Sequence, residues 1–315
     1  MGKQDSLIRA AQNARLQGSG NTVKKHKEEA MRFVAELREA GYGVKQWDNL
    51  TSKHLSVVAE RWVDQGKAAS TIHEYISGVR QVAEAYGNTH LKTTSELMND
   101  VGERIVAARV YATNTDRSVP ADVYEKAMER LRSGEFGEDG KRLACQMDLM
   151  RELGLRYEEA RKFNPERSVL ADGRVYIVDG TKGARDRMLH AVSEKGWAAI
   201  EGIRPYIDKE YGNSMPCKEA QWEARGYDMA QAVGISRAEC GASFHGLRHA
   251  YAQERYEQMA GFKCRAAGGT LEGAVAVAGT EWKQRDEEAR LILKGELGHG
   301  PERDSVVSTY IGTSL

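Results

Sequence analysis

The chain has 315 residues, 41% hydrophobic and 29% charged, a balance that suits a folded protein with room for two domains and excludes a disordered one. Lys and Arg number 46, as do Asp and Glu, so the formal net charge is zero and any grip on nucleic acid has to come from local patches. No apolar run reaches membrane-spanning length, no signal-peptide pattern opens the sequence, and Cys145, Cys217, Cys240 and Cys264 form no C-x-x-C pair; the expectation is a cytoplasmic protein with no membrane partner.

Taken in chain order, residues 1–20 read as a basic arm closed by the flexible run "QGSG". From Met1 to Lys27 the chain carries Lys3, Arg9, Arg15, Lys24, Lys25 and Lys27 against the single acid Asp5. Charge alone fits a solvated terminus; Lys24, Lys25 and Lys27 are the candidate DNA-binding side chains. Residues 21–111 show helical periodicity. Ala30, Phe33, Val34 and Leu37 give one helix and Leu55, Val58, Ala59 and Trp62 a second. Ile72, Tyr75, Ile76, Val79, Val82, Ala83 and Tyr86 follow a capping box at Thr71 and Glu74. A further box at Thr93 and Glu96 predicts a fourth helix through Leu97, Val101, Ile105 and Ala108, completing a small helical bundle. Residues 112–120 are polar, lack periodicity and read as a linker.

Residues 121–315 form a second domain. Tyr124, Ala127, Met128 and Leu131 mark one helix, and Leu143, Met147 and Met150 another that stops at Gly154. "RSVLADGRVYIVDGTKGARDRMLHAV" is rich in β-branched residues and broken by glycines, which predicts two or three short antiparallel strands. Helical character returns from Lys195 and dominates to the end. The fold class is mainly α with a small antiparallel β-sheet.

Four stretches of the second domain carry chemistry. In "HGLRH", His245 and His249 have the i, i+4 spacing of two zinc ligands, but Gly246 stands where a metalloprotease helix carries Glu, and Arg248 would repel a divalent cation. His245 and Arg248 share one helix face, and a histidine donor beside a guanidinium fork suits a phosphate; a capped helix start accounts for them equally. "ELGLRYEEARKF" places Arg156 after a glycine helix stop, with Glu159 one turn on. "VDGTKGARDR" places Lys182 in a glycine-flanked turn, and "KGELGHGPERDSVVSTYIG" places His299 past a helix end with Tyr310 on a short helix beyond. Each alone has an ordinary explanation: an ion pair, a solvated turn, a capping histidine, a core tyrosine.

Together, in the order Arg, Lys, His-x-x-Arg, His, Tyr, these stretches resemble the tyrosine recombinases of phages and mobile elements. "GLRYEE" is similar to the family's first arginine box, "TKGARDRMLHA" to its hairpin lysine segment, "HGLRH" to its second box, and "LGH" followed by a tyrosine to its third. The resemblance runs from Arg156 to Tyr310, and "STIHEYISGVRQVAEAYG" looks like a helix of the family's core-binding domain. It implies a helical core-binding domain joined to an α+β catalytic domain. It also implies a site-specific DNA recombinase of integrase or excisionase type, working through a 3′-phosphotyrosyl intermediate with no cofactor, ATP or metal. Arg156 and Arg248 would neutralise the attacked phosphate, Lys182 would act as general acid, His245 and His299 would complete the ring of donors, and Tyr310 would be the nucleophile. Glu159 would orient Arg156, and His249 would support the site. Implied partners are double-stranded DNA, a homo-tetramer on two DNA sites and accessory DNA-bending proteins.

The sequence departs from the family pattern at Phe262 to Arg290, which reads as an insertion, at the long step from His299 to Tyr310 with Pro301 inside it, and at the short tail "IGTSL". The alternative readings are a type IB topoisomerase-like DNA-relaxing enzyme, a catalytically silent DNA-binding regulator, and a zinc hydrolase built on His245, His249 and His299.

Overall fold

A computed structural model of the chain describes residues 5–110, 112–181, 183, 185–299 and 306–315. The chain divides into two compact units, Met1–Val110 and Tyr111–Leu315, each with its own buried core.

The first unit contains α1 (Ser6–Asn13), α2 (Gly20–Glu39), α3 (Ser52–Asp64) and α4 (Ala69–Ala85). Phe33, Leu37, Leu55, Trp62, Ile76 and Val79 form its centre. Helices α2 and α4 approach closely at Gly78, where a Cβ would stand 2.2 Å from Glu29 Oε2. Three expectations are corrected here. Residues 6–13, expected in a free arm, form α1: Asp5 caps it through the Leu7 amide at 2.8 Å, Leu7 and Ala11 are buried, and Trp47 Nε1 donates to the Leu7 carbonyl at 3.1 Å. Arg38 further ties Asp5 down at 2.6 Å. The fourth helix expected beyond Thr93 does not form. Its capping box is present, yet it closes only a 3₁₀ turn at Thr94–Glu96. The Asn99 side chain then accepts from the Val101 and Glu103 amides, Gly102 turns with φ 82°, and Met98 bridges to Arg104. A side chain that satisfies local amides offers the backbone an alternative to the helix. The box read at Thr71 and Glu74 also fails: α4 starts at Ala69, and Glu74 pairs instead with Lys25 at 2.8 Å.

The second unit opens with α5 (Ala121–Arg132), α6 (Gly137–Leu153), α7 (Tyr157–Lys162) and α8 (Pro165–Ser168). Strands β1 (Val175–Ile177) and β2 (Arg187–Leu189) pair antiparallel with Val175 opposite Leu189 and Ile177 opposite Arg187, the small sheet that the β-branched run predicts. Then follow α9 (Glu194–Ile203), α10 (Glu219–Ala232), α11 (Phe244–Ala260), α12 (Leu271–Ala278), α13 (Trp282–Glu296) and α14 (Ser308–Ile311). One core gathers α5, α6, α9 and α10 around Leu143, Met147, Ile200 and Trp222; a second gathers α11 to α14 around Tyr256, Leu293 and Ile311. The segment read as an insertion is helical. α12 buries Ala274 and Ala278, while Leu271, Val275 and Val277 are exposed.

Candidate active site

The site forms where helix starts and ends of the second unit converge. Helix α6 stops at Gly154, whose φ of +64° is left-handed and whose missing Cβ would stand 2.4 Å from the Tyr251 ring. The turn delivers Arg156 to the start of α7. Glu159 Oε2 accepts the Arg156 amide at 2.7 Å, and Glu159 Oε1 accepts its Nη1 at 2.6 Å. On the second turn of α11, Arg248 is wholly buried. It donates from Nη1 to the Gly154 carbonyl at 2.5 Å, from Nη2 to the Leu297 carbonyl at 2.5 Å, and from Nε to the Tyr310 hydroxyl at 3.2 Å. Arg156 Nη2 reaches the same Leu297 carbonyl at 3.4 Å, so the two guanidinium groups meet across one backbone oxygen.

Tyr310, on α14, is 4% exposed and lies among aromatic rings. Its ring centroid is 4.8 Å from that of His249, 5.5 Å from His245 and 5.8 Å from His299, with the Arg248 guanidinium 5.4 Å away. The His299 amide donates to the Lys294 carbonyl at 3.0 Å, closing α13 as its position after "LG" suggests. Burial pushes the His249 imidazole down to about 4, against a hydrogen bond with the Tyr310 backbone that favours its charged form. The His245 side chain meets solvent. It is nonetheless held well below the usual histidine range, first by desolvation from the surrounding wall and then by the charges of Arg248, His249 and Arg156. The imidazole is therefore neutral near pH 7 and presents an acceptor nitrogen beside the tyrosine.

Glu159 anchors the cationic side. It has no exposed surface and faces Arg156 at 2.6 Å, Arg187 at 2.7 Å and Arg248 at 3.6 Å. Burial would raise its carboxyl, but the Arg187 hydrogen bonds and the charges of Arg187, Arg248 and Arg156 outweigh it and hold the group at about 2. Three guanidinium groups around one carboxylate leave the cluster positive, which suits an anion whose charge grows during reaction.

Arg156, His245, Arg248, His299 and Tyr310 are thus brought together, with Glu159 and His249 in contact with them. Lys182 lies outside the described residues. Gly180, two residues before it, turns with φ +72°, and a Cβ there would stand 2.9 Å from the Glu158 carbonyl, so the chain at Gly180 passes close to α7. In the first unit, Lys24 is exposed, Lys25 is paired with Glu74, and Lys27 donates to the Gln12 carbonyl at 2.8 Å. Sequence reasoning missed Arg187. Its Nη1 and Nη2 donate to the two oxygens of Glu159 at 2.8 and 2.7 Å, and its Nε donates to the Glu296 carbonyl at 2.6 Å. Its only signal was an arginine inside a predicted strand.

Residues 107–254 match the family described as Integrase, and residues 3–92 match the one described as Phage integrase, N-terminal. A comparison with curated proteins finds no match. Among solved structures, the fold is similar to a Tn1549 transposon integrase in complex with a circular intermediate DNA, with a TM-score of 0.59 at 12% identity over 99% of this chain and 96% of that one. It is also similar to a lambda integrase dimer bound to a COC′ core site, at 0.57 and 17% over 98% and 95%. A lambda integrase tetramer bound to a Holliday junction matches at 0.55 and 14% over 98% and 78%.

Proposed function

The chain belongs to the tyrosine recombinases of the phage-integrase family, and we propose that it cuts and rejoins double-stranded DNA through a phosphotyrosyl link at Tyr310. The observation that carries this reading is the Tyr310 hydroxyl held by Arg248 Nε at 3.2 Å inside a ring of three histidines. The Tyr310 oxygen attacks phosphorus. The O–P bond forms, the bond from phosphorus to the 5′-oxygen breaks, and a 3′-phosphotyrosyl link remains. The phenolic proton passes to the neutral His245, and Lys182 protonates the departing 5′-oxygen. Arg156 and Arg248 stabilise the charge that grows on the non-bridging oxygens. The phosphodiester's energy is kept in the link, so rejoining needs neither ATP nor metal.

Solved relatives are described as a dimer on a core site and a tetramer on a Holliday junction. A tetramer acting on two DNA sites is the corresponding reading for this chain. The test uses plasmid DNA carrying the sequence that flanks the chain's own gene. The wild type should leave an SDS-resistant protein–DNA adduct, and Tyr310→Phe should bind the same DNA and leave none. An adduct that survives Tyr310→Phe and is lost with Tyr256→Phe would overturn the assignment. Strand exchange between two plasmids separates a recombinase from a topoisomerase-like enzyme, which only relaxes.

A further inference from the structure

The segment that opens the second unit does more than join two domains. Asn114 Oδ1 accepts the Thr313 amide at 2.9 Å and the Thr313 hydroxyl at 3.2 Å. Two residues on, Asp116 Oδ1 accepts from Gln253 Nε2 at 2.9 Å, and the same Nε2 lies 3.5 Å from the Tyr310 carbonyl. The Val119 amide donates to the Gly246 carbonyl at 3.2 Å, which pins the segment to the start of α11. Glycines make the approach possible on both sides. A Cβ on Gly246 would stand 2.8 Å from the Arg117 carbonyl. Gly312 turns with φ +80°, and a Cβ there would stand 2.8 Å from Asn114 Oδ1. From α13, Arg290 Nη1 holds the Gly312 carbonyl at 3.0 Å, and Asp286 accepts the Ser314 hydroxyl at 2.7 Å.

We infer that Asn114, Asp116 and Gln253 are positioning residues for Tyr310: Gln253, held by Asp116, and Asn114 grip the backbone at the tyrosine's own carbonyl and just after it, and so fix where its hydroxyl sits over Arg248. The inference rests on Tyr310 being the nucleophile. Two contacts fix a short helix better than one. Tyr310 has a backbone grip at its own carbonyl through Gln253 and another three residues on at Thr313. A four-residue helix has little stability of its own, so its position is set by what holds it from outside. Small displacements of a reacting atom cost large factors in rate, whereas binding of a duplex spread over many contacts is insensitive to them.

Asn114 is exposed, so its substitution spares the core and isolates the grip. Asn114→Ala removes both acceptances. Asn114→Asp keeps the accepting oxygen. Two measurements are made on full-length protein. In the first, without DNA, hydrogen exchange at the Thr313 amide should quicken in Asn114→Ala and stay near wild type in Asn114→Asp. In the second, single-turnover adduct formation on the plasmid described above should slow by about tenfold in Asn114→Ala, with duplex affinity unchanged, and recover in Asn114→Asp. Gln253→Glu, which places an acceptor against Asp116 and the Tyr310 carbonyl, should slow the adduct step in the same way. Unchanged exchange in Asn114→Ala overturns the grip. Faster exchange with a wild-type adduct rate overturns the positioning role, as does an Asn114→Asp variant as slow as Asn114→Ala. A rate loss matched by an equal loss of affinity makes Asn114 a DNA contact instead. Since the exchange measurement needs no DNA, failure of the grip is distinguished from failure of the Tyr310 assignment, which the Tyr310→Phe adduct test decides.

Discussion

A carboxylate with no exposed surface, Glu159 holds Arg156 and Arg187 by hydrogen bonds, with Arg248 3.6 Å away. Removing its charge leaves the buried arginines uncompensated, a change that typically costs about 3–5 kcal/mol. Glu159→Gln should therefore lower stability by about that amount in denaturant melts and abolish adduct formation, because Arg156 and Arg248 lose their fixed geometry. The same residue sets a pH window. Its carboxyl falls from 4.5 to about 2 on folding. The stabilisation is present in full above the unfolded value and is lost as pH drops through that interval, an effect on the order of 3 kcal/mol. The stability gap between wild type and Glu159→Gln should narrow as pH is lowered from 4.5 to 2. A gap constant across that interval would show that Glu159 is not held ionised. Glu159 was legible in the sequence as the partner of Arg156, three residues away. Arg187 was not, because a strand of three residues carries too little alternation to say which way an arginine faces.

At the scale of elements, long amphipathic stretches were readable and short ones were not. α2, α3 and α6 lie where their apolar spacing and glycine stops place them. α1 was hidden because Arg9 within it and Arg15 just beyond it made the stretch read as a basic arm, while Leu7 and Ala11 supply only two buried positions. The helix expected beyond Thr93 had a genuine capping box, but Asn99 and Gly102 turned the chain before a second turn could form. The hairpin between β1 and β2 carries a test of its own. Lys182, as general acid, should cost about 10²–10⁴ in cleavage rate when replaced by Ala. A substrate with a 5′-bridging phosphorothiolate leaves without a proton, so it should restore cleavage to Lys182→Ala and give no rescue to Arg248→Ala. Equal rescue of both variants would remove Lys182 from the acid role.

The whole molecule is two folding units on a chain with no net charge, so its hold on DNA is expected to come from joining two modest contacts rather than from overall attraction. Each unit has its own buried centre, the first around Phe33 and Trp62, the second around Met147, Trp222 and Tyr256. A cut after Val110 leaves both centres intact, and it keeps Asn114 and Asp116 with the tyrosine they are inferred to position. Residues 1–110 and 111–315 should therefore each melt cooperatively as separate proteins, and the second should keep weak adduct-forming activity. Linking two weak binders raises affinity through effective concentration, commonly by about 10²–10⁴ over either part. The intact chain should exceed both fragments on the same duplex by a factor of that order. The slope of its log affinity against log salt should approach the sum of the two fragment slopes, since each unit would displace its own counterions. An intact chain that binds no more tightly than residues 111–315, with the same salt slope, would mean that the first unit takes no part in holding DNA. In that case Lys24, Arg9 and Arg15, all exposed, are solvated surface and nothing more.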